Sequence, residues 1–203
     1  MNRCNIDSCP KQINLHCHTI CSDGSMTPIA LIKQAQELGI EHLAITDHHS
    51  IESHKIILDN YNLENSRTKL WSGIEVSCLI NKCLVHILGI GFNLRSSSLK
   101  PYVHGEAPTG EYLQGKTVVK SIHDAGGLAI LAHPARYRIS FKKIIDASVD
   151  INIDGAEAWY DYDMKPQFSA TPIICEKIDN QLKQLGLIST CGTDTHGYSL
   201  LGR

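Results

Sequence analysis

The sequence has no long hydrophobic run and no excess of charge of one sign. No apolar stretch approaches the ~20 residues of a membrane-spanning helix, so we expect no membrane contact. Nineteen Lys and Arg residues nearly balance 21 Asp and Glu residues, which gives a formal net charge of −2. This balance lacks the broad basic surface typical of proteins that grip duplex nucleic acid, and we expect no duplex partner.

The features of a signal peptide are also missing. The first residues, MNRCNIDSCPKQ, contain no apolar core segment, so the sequence predicts a cytoplasmic protein. Hydrophobic residues make up 42% of the 203 residues and charged residues 20%, a composition that excludes disordered and collagen-like classes. A chain of this length can bury one sizeable core, and we expect a single domain over residues 1–203.

Cysteine is present but lacks the spacing of a zinc knuckle. None of the eight cysteines forms a pair with a two-residue gap. In a cytoplasmic protein we expect reduced and mostly buried thiols, and Cys17 is expected to point into the core. A zinc or disulfide role for Cys4 and Cys9 remains the alternative.

Short apolar runs of strand length alternate with longer segments of helical period, which predicts an α/β fold with a mostly parallel sheet. A turn at Asn81-Lys82 predicts a local antiparallel pair, and residues 93–114 are expected to form a loop. The predicted strands span residues 12–16, 42–46, 69–76, 84–91, 127–133, 154–159 and 187–193. The predicted helices span residues 27–38, 51–59, 115–125, 139–147 and 170–185.

Acidic and imidazole side chains collect where the predicted strands end. In a parallel α/β architecture these ends share one face, where loops converge and sites are built. The two residues of a His-x-His pair on a strand point to the same side, and the Asp-x-His pair near the end of the chain repeats that geometry. The strand-end residues are His16, His18, Asp23, Asp47, His48, His49, Glu75, His86, His133, Asp194 and His196.

Any one of these histidines, taken alone, is more often a surface or core residue than a metal ligand. His42, His54, His104 and His123 lie away from the strand ends, and we assign them to that structural class. Six strand ends that carry His, Asp or Glu together favour a different interpretation, since buried acids and imidazoles need a cation to offset their desolvation. Imidazole and carboxylate are the ligands of divalent transition ions. The pattern predicts a site for several metal ions.

The motifs HCHTICSDGS, ITDHHS, GIEVSC, VHILGIG, LAHPARY and GTDTHG resemble those of the PHP (polymerase and histidinol phosphatase) family of metal-dependent phosphoesterases. The resemblance runs from His16 to His196. It implies a distorted seven-stranded, TIM-like β/α barrel with the metal site at the carboxyl ends of the strands. The aspartate at position 23, in the run Ser-Asp-Gly, resembles the motif of the family branch that acts on nucleotides and RNA ends.

The resemblance also implies three divalent ions, either Mn, Fe or Zn. The first ion would be held by His16, His18, Glu75 and Asp194. Glu75 would bridge to a second ion, completed by His86 and His133. The third ion would be held by Asp23, His48 and His196. Glu75, Asp194, His196 and Arg136 are the expected catalytic residues.

Arg136, in HPARYRIS, is expected to bind substrate phosphate, because the planar guanidinium matches phosphate oxygens. A solvated arginine is the alternative, and Tyr137 could stack on a base or pack. His49 stands where the family more often has an acidic or amide residue, so its role is open. The chain is also shorter than typical members of the nucleotide branch, which predicts a more open site.

These inferences predict a phosphoesterase that acts through metal-activated hydroxide on small nucleotides, such as nucleoside 3′,5′-bisphosphates, or on the 5′ ends of short RNA or DNA. A histidinol-phosphate phosphatase is one alternative, and Asp161 and Asp163 would then face the substrate amine. A non-catalytic, metal-binding regulatory module is the other alternative. The oligomeric state is not predicted by the sequence.

Overall fold

A computed structural model describes residues 4–64 and 66–202 of the chain. Over these residues the chain forms eight strands and five α-helices. The strands are β1 (Ile13–Asn14), β2 (His42–Ala44), β3 (Lys69–Trp71), β4 (Gly73–Ile80), β5 (Cys83–Ile90), β6 (Leu128–Leu131), β7 (Gly155–Trp159) and β8 (Ile188–Cys191). The helices are α1 (Pro28–Glu37), α2 (Glu52–Asn60), α3 (Gly115–Asp124), α4 (Phe141–Val149) and α5 (Pro172–Leu185).

The helices begin and end where local chemistry directs them. The side chain of Thr27 caps α1 by accepting a hydrogen bond from the backbone of Ala30, and Pro28 occupies the first turn. Ser140 caps α4 in the same way, with the backbone of Lys143 as donor. Gly186 ends α5 in the left-handed region at φ 70°, where glycine carries no side-chain penalty.

The strands form two sheets. In the first sheet, β1, β2 and β3 are parallel. In the second sheet the order is β4-β5-β6-β7-β8, with β4, β5 and β6 antiparallel and β6, β7 and β8 parallel. The predicted antiparallel turn at Asn81-Lys82 is confirmed, and both residues take positive φ values of 49° and 61°. The α/β class is therefore confirmed.

The predicted seven-stranded barrel is not observed, because the strands of the described residues form two sheets that do not close into a barrel. The predicted strand 69–76 divides at Ser72, where the chain leaves its pairing with β2 and begins its pairing with β5. The two sheets meet through isolated backbone contacts, such as Leu15 N to Cys191 O at 3.0 Å and Glu75 N to Asp47 O at 3.2 Å, and through a shared apolar cluster. The predicted loop 93–114 also contains two short 3-10 helices, Ser97–Tyr102 and Gly110–Leu113.

Two apolar clusters hold these layers together. The larger cluster surrounds the five-stranded sheet, with Ile74, Ile87 and Leu88 fully buried within it. The smaller cluster packs α1 and α2 on β2 through residues such as Leu31 and Ile57. Burying side chains of this size contributes ~1.5–3 kcal/mol each. The strands that carry the site therefore belong to well-packed cores. No helix in the described ranges has the length and apolar character needed to cross a membrane.

Candidate metal centre

All nine predicted metal ligands form one cluster around Glu75. Seven of them follow the carboxyl ends of strands, whereas Glu75 and His86 lie within β4 and β5, so the expected position of Glu75 at a strand end is wrong. This carboxylate is 1% exposed and belongs to β4, which pairs with β5. The positions before and after Glu75 are also buried, so the backbone fixes the carboxylate firmly. The loops after β1, β2, β6 and β8 and the strand β5 supply the remaining side chains.

The most buried part of the cluster is formed by the His-x-His pair, Glu75 and Asp194. The Nε2 atoms of His16 and His18 each lie 3.1 Å from Glu75 Oε2 and 3.2 Å from Asp194 Oδ1. All four side chains are at most 4% exposed. Their ligand atoms lie within 4.8 Å of one another, a spacing that one ion could bridge.

The other oxygen of Glu75 faces the side chains of two further histidines. His86 Nδ1 lies 3.0 Å and His133 Nε2 lies 3.5 Å from Glu75 Oε1. The compact set at this position consists of His48, Glu75 and His86. His48 Nδ1 lies 3.5 Å from the other oxygen, Glu75 Oε2, and the predicted set of Glu75, His86 and His133 for the second ion stays a prediction.

The third set lies at the edge of the cluster and is the most open. Asp23 is 55% exposed, and its Oδ2 lies 3.3 Å from His196 Nε2 and 3.8 Å from His48 Nε2. The predicted residues Asp23, His48 and His196 come together here, and His18 joins them. Three overlapping sets of ligand atoms thus share His18, His48 and Glu75.

A buried aspartate outside these sets, Asp47, shapes the loop that carries His18 and Asp23. Its carboxylate accepts hydrogen bonds from the backbone N–H of Thr19 at 2.6 Å and from the hydroxyls of Thr19 and Ser22. Gly24 closes the same turn, because a Cβ there would lie 2.5 Å from the carbonyl of His18. Strand-end position alone had marked Asp47, and the structure gives it a role in holding the loop.

The last strand approaches β1 closely enough to place Asp194 beside His16. A Cβ at Gly192 would lie 2.2 Å from the Cβ of His16, so only glycine fits. The Asp194 backbone N–H donates to the His16 carbonyl at 2.8 Å. Asp194 and His133 also have positive φ values, 52° and 27°, and such strain in non-glycine residues concentrates at functional sites.

The electrostatics of the cluster show how strongly its groups depend on one another. Burial disfavours the charged form of His18, but Asp194 and Glu75 outweigh it and raise its pKa from 6.5 to about 9. The pKa of His16 rises for the same reason. Burial alone would raise the pKa of Glu75, yet the neighbouring histidines lower it well below its ordinary value. The acids are therefore ionised and require positive charge nearby.

Divalent ions fit this donor set. Both ring nitrogens of His18, Glu75 Oε1 and His86 Nδ1 are buried without a well-aligned hydrogen bond, although His86 Nδ1 and Glu75 Oε1 lie 3.0 Å apart. Buried polar atoms without partners are costly in folded proteins. Imidazole nitrogens and carboxylate oxygens that converge in this way are the usual ligands of Mn²⁺, Fe²⁺ and Zn²⁺.

Arg136 lies at the rim of the cluster and contacts Asp194. Its Nη1 donates to Asp194 Oδ2 at 3.0 Å and to the Tyr160 hydroxyl at 3.0 Å, and the side chain is 36% exposed. The Tyr160 hydroxyl donates to the same Asp194 oxygen at 2.7 Å. Sequence reasoning missed Tyr160; the available signal was an aromatic residue directly after an apolar strand.

Tyr137 takes a packing role. Its hydroxyl accepts a hydrogen bond from the backbone of His86 at 2.9 Å and donates to the Ala132 carbonyl at 3.0 Å. Its ring also packs 5.5 Å from the ring of His133. These bonds join the middle of β5 to the end of β6, so the tyrosine supports two ligand-bearing segments.

Glu157 is the second residue that sequence reasoning missed. It lies in the middle of β7, is fully buried and contacts His16 Nδ1 at 3.2 Å with both carboxylate oxygens. The sequence signal for its role is an acidic residue inside the apolar run GAEAW, because a charged residue rarely lies within a buried strand without a partner.

Histidines and cysteines outside the cluster behave as structural residues. His54 is buried and bonds to the backbone of Ile45 and Gly73, and His123 bonds to Asp154. The His49 side chain contacts Ser77, and its backbone N–H donates to the Glu75 carbonyl at 3.0 Å. All eight cysteines are free, so Cys4 and Cys9 form no disulfide. Cys17 is fully buried and bonds to the Ala44 carbonyl, as expected of a core thiol.

Comparison with curated proteins identifies several relatives. A 5′-3′ exoribonuclease of Haemophilus influenzae is 24% identical, over 72% of this chain and 77% of that protein. The 5′-3′ exoribonuclease Rnm of Escherichia coli is 32% identical, but the match covers 40% of this chain and 28% of that protein. A protein of Thermotoga maritima described as a probable histidinol-phosphatase is 28% identical over 62% of this chain and 56% of its own length.

Solved structures share the fold. A candidate metal-dependent phosphoesterase of Bifidobacterium adolescentis superposes with a TM-score of 0.70 at 19% identity, over 93% of this chain and 89% of that chain. Endonuclease Q, in complex with a 27-mer duplex that contains an abasic lesion, gives a TM-score of 0.58 at 16% identity, over 92% of this chain and 49% of that chain. The expected absence of a duplex partner for this chain stays a prediction.

A family model that matches most of the chain identifies the family. The model of the PHP domain matches residues 14–170. This range contains all the predicted ligands except Asp194 and His196, which the structure places in the same cluster. The chain therefore belongs to the PHP domain family of metal-dependent phosphoesterases.

Proposed function

We propose that the chain hydrolyses phosphate esters of small nucleotides, such as nucleoside 3′,5′-bisphosphates, or of the 5′ ends of short oligonucleotides. The same proposal assigns the nine clustered side chains to two or three divalent ions within a single domain. The cluster of nine side chains is the main chemical support for this proposal. The similarity to a 5′-3′ exoribonuclease favours nucleotides among the substrates of phosphoesterases.

The observation that carries this proposal is the sharing of Glu75 by two ligand sets. Its Oε2 faces His16 and His18, while its Oε1 faces His86. One carboxylate can therefore hold two cations close together that would otherwise repel. Bound divalent ions supply Lewis-acid chemistry, since they lower the pKa of water and neutralise charge on phosphate oxygens.

The protein's own groups would orient the substrate. Nη1 of Arg136 is held by Asp194 and Tyr160, which fixes the plane of the guanidinium at the rim. A guanidinium fixed in this way can offer its remaining N–H donors to a phosphate oxygen without further ordering. Arg136 would then hold the phosphate, and Asp194 would join the arginine to the ion-binding set.

The alternative substrate, histidinol phosphate, has less support from the structure. Asp161 would have to face the amine of that substrate, but its carboxylate accepts hydrogen bonds from the backbone of Asp163 and Lys165. Asp163 in turn pairs with the Lys165 ammonium at 3.3 Å. These acids are engaged in their own turn, so no free negative pocket is visible in this part of the described chain.

The experiment is a phosphate-release panel on the purified protein with Mn²⁺, Fe²⁺ or Zn²⁺. The substrates are a nucleoside 3′,5′-bisphosphate, a short RNA and a short DNA with 5′ phosphates, a duplex of the same length, and histidinol phosphate. We expect release from the bisphosphate or the single-stranded ends, with loss of activity after chelation and recovery when metal is returned.

His123→Gln is the matched control, because this histidine bonds to Asp154 away from the cluster, and it should retain full activity. Activity on histidinol phosphate alone would replace the nucleotide assignment with the alternative. No hydrolysis of any phosphate ester by the metal-loaded protein would leave the non-catalytic module as the remaining function.

A further inference from the structure

Glu157 lies outside the three ligand sets, yet its carboxylate is buried beside two proposed ligands. The side chain is 0% exposed. Both carboxylate oxygens lie 3.2 Å from His16 Nδ1, and Oε2 also accepts a hydrogen bond of 3.0 Å from the backbone N–H of His133. Burying a carboxylate is costly unless its partners are in place, so these contacts define its environment.

The position of Glu157 is built into the sheet. It lies in β7, whose neighbours are β6 and β8, and its side chain reaches the end of β1, where His16 lies. The space for it exists because residue 192 is glycine. A Cβ at Gly192 would lie 2.8 Å from Glu157 Oε1. One carboxylate thus contacts groups that follow β1 and β6.

Both ring nitrogens of His16 face carboxylate oxygens, so the tautomer depends on which nitrogen binds a cation. With a cation at Nε2, the lone pair of the neutral ring is on Nε2, and Nδ1 carries the proton that it donates to Glu157. Nε2 is the atom that lies near Glu75 and Asp194. In this tautomer the imidazole presents its acceptor to a cation, and the carboxylate increases its basicity.

We propose that Glu157 is a positioning residue that fixes the tautomer and orientation of His16 and anchors the backbone of His133. This inference rests on the proposed function only in that His16 binds a divalent ion. His133 needs such an anchor because its φ of 27° lies in a region that L-residues rarely adopt. A single side chain therefore supports a ligand of the first set and the strand end beside the second.

His18 provides the internal contrast. Its Nε2 faces the same two carboxylates, but its Nδ1 has no buried carboxylate beside it and lies 3.6 Å from the exposed Asp23. Asp23 belongs to the third ligand set. His18 can therefore contact two sets, whereas Glu157 restricts His16 to one.

The test is the affinity of the protein for Mn²⁺ and Zn²⁺, measured by competition with a chromogenic chelator. Glu157→Gln keeps the volume of the side chain, but its amide NH₂ would face another N–H donor at His16 or at His133. We expect metal affinity to fall about 10- to 100-fold, the usual effect of losing such a supporting contact. Glu157→Asp keeps the charge and should recover part of the affinity.

The matched control is Asp179→Asn. Asp179 is also a buried carboxylate, but it bonds to Ser189 and Lys183 away from the cluster. This variant should bind metal as the wild type does. A Glu157→Gln protein with wild-type affinity would overturn the inference.

A second measurement needs no variant and decides the matter if Glu157→Gln does not fold. Long-range ¹H–¹⁵N spectra of the Zn²⁺-loaded wild type report the tautomer of each histidine. We expect the His16 proton on Nδ1, and a proton on Nε2 would contradict the inference. The phosphate-release panel could show no hydrolysis while Glu157→Gln still loses metal affinity as expected. That result would rule out the proposed reaction and would leave the role of Glu157 intact.

Discussion

Two buried histidines, His54 and His18, show what separates a structural region from a functional one. Both are at most 2% exposed. His54, on α2, lies within hydrogen-bonding distance of the backbone of Ile45 and Gly73 through its Nε2. His18 has no aligned hydrogen bond at either ring nitrogen and instead faces the carboxylates of Glu75 and Asp194. Burial alone does not identify a ligand, but the partners do.

The two environments move the pKa values in opposite directions. Burial lowers the pKa of His54, and its backbone partners only partly oppose this effect. The carboxylates raise the pKa of His18 to about 9 despite its burial. The region around His54 is therefore stable when its imidazole is neutral, while the region around His18 needs a positive charge from a proton or a metal ion.

The largest effect is expected from Glu75→Gln, which removes the charge shared by the ligand sets and leaves the His54 region untouched. Because one oxygen of Glu75 faces His16 and the other faces His86, two sets are disrupted together. Phosphate release should fall by about 10³-fold or more. The measurement is steady-state hydrolysis with saturating metal. Near-wild-type turnover would contradict the distinction between the Glu75 cluster and the His54 region.

His18→Gln and His54→Gln should separate metal binding from stability. His18→Gln is expected to weaken metal affinity by about 100-fold. His54→Gln should lower the free energy of unfolding by about 1–3 kcal/mol, because buried backbone partners lose a bond, and should leave metal affinity unchanged. Urea unfolding with and without Mn²⁺ measures both quantities. Equal loss of metal affinity in the two variants would show that the regions are not distinct.

Arg136→Lys should have a smaller effect on the reaction. Lysine keeps the charge but cannot contact Asp194, Tyr160 and a phosphate oxygen together as the guanidinium can. We expect about a 10-fold loss in kcat/KM, carried mainly by KM, consistent with one charged hydrogen bond of about 1.5–3 kcal/mol that is partly replaced. Michaelis–Menten kinetics on the bisphosphate measure it, and an unchanged KM would place Arg136 among solvated arginines.

The smallest effect is the pH dependence of stability. The His18 pKa is raised, so its contribution in the metal-free protein is complete below pH 6.5 and is lost as the pH rises through about 9. The His54 pKa is lowered, so its contribution is lost as the pH falls below 6.5. Stabilisation by added metal should therefore grow from pH 6.5 to 9, as measured by thermal unfolding. A flat or falling increment would contradict this account of His18.

The sequence predicted which side chains come together better than it predicted the architecture. Period-two spacing and strand ends were enough to place His16, His18, Asp194 and His196 together, since side-chain direction and chain position are local properties. The closed barrel was not predictable in the same way, because it depends on hydrogen bonds between distant strands. The division at Ser72 is a change of partner strand from β2 to β5, which no local pattern shows.

The supporting residues were missed for a related reason. Glu157 and Tyr160 act through His16 and Asp194, which are far away in sequence. A strand pattern indicates that such side chains are buried but not which groups they meet.

The most direct test of the central claim is the metal content of the purified wild-type protein and of Glu75→Gln, measured by elemental analysis after gel filtration in metal-free buffer. The account predicts two or three divalent ions for each wild-type chain and a marked loss in the variant, together with phosphate release only from the loaded wild type. A wild-type chain that holds no ion when supplied with Mn²⁺, Fe²⁺ or Zn²⁺, or that cleaves phosphate esters equally well without one, would contradict it.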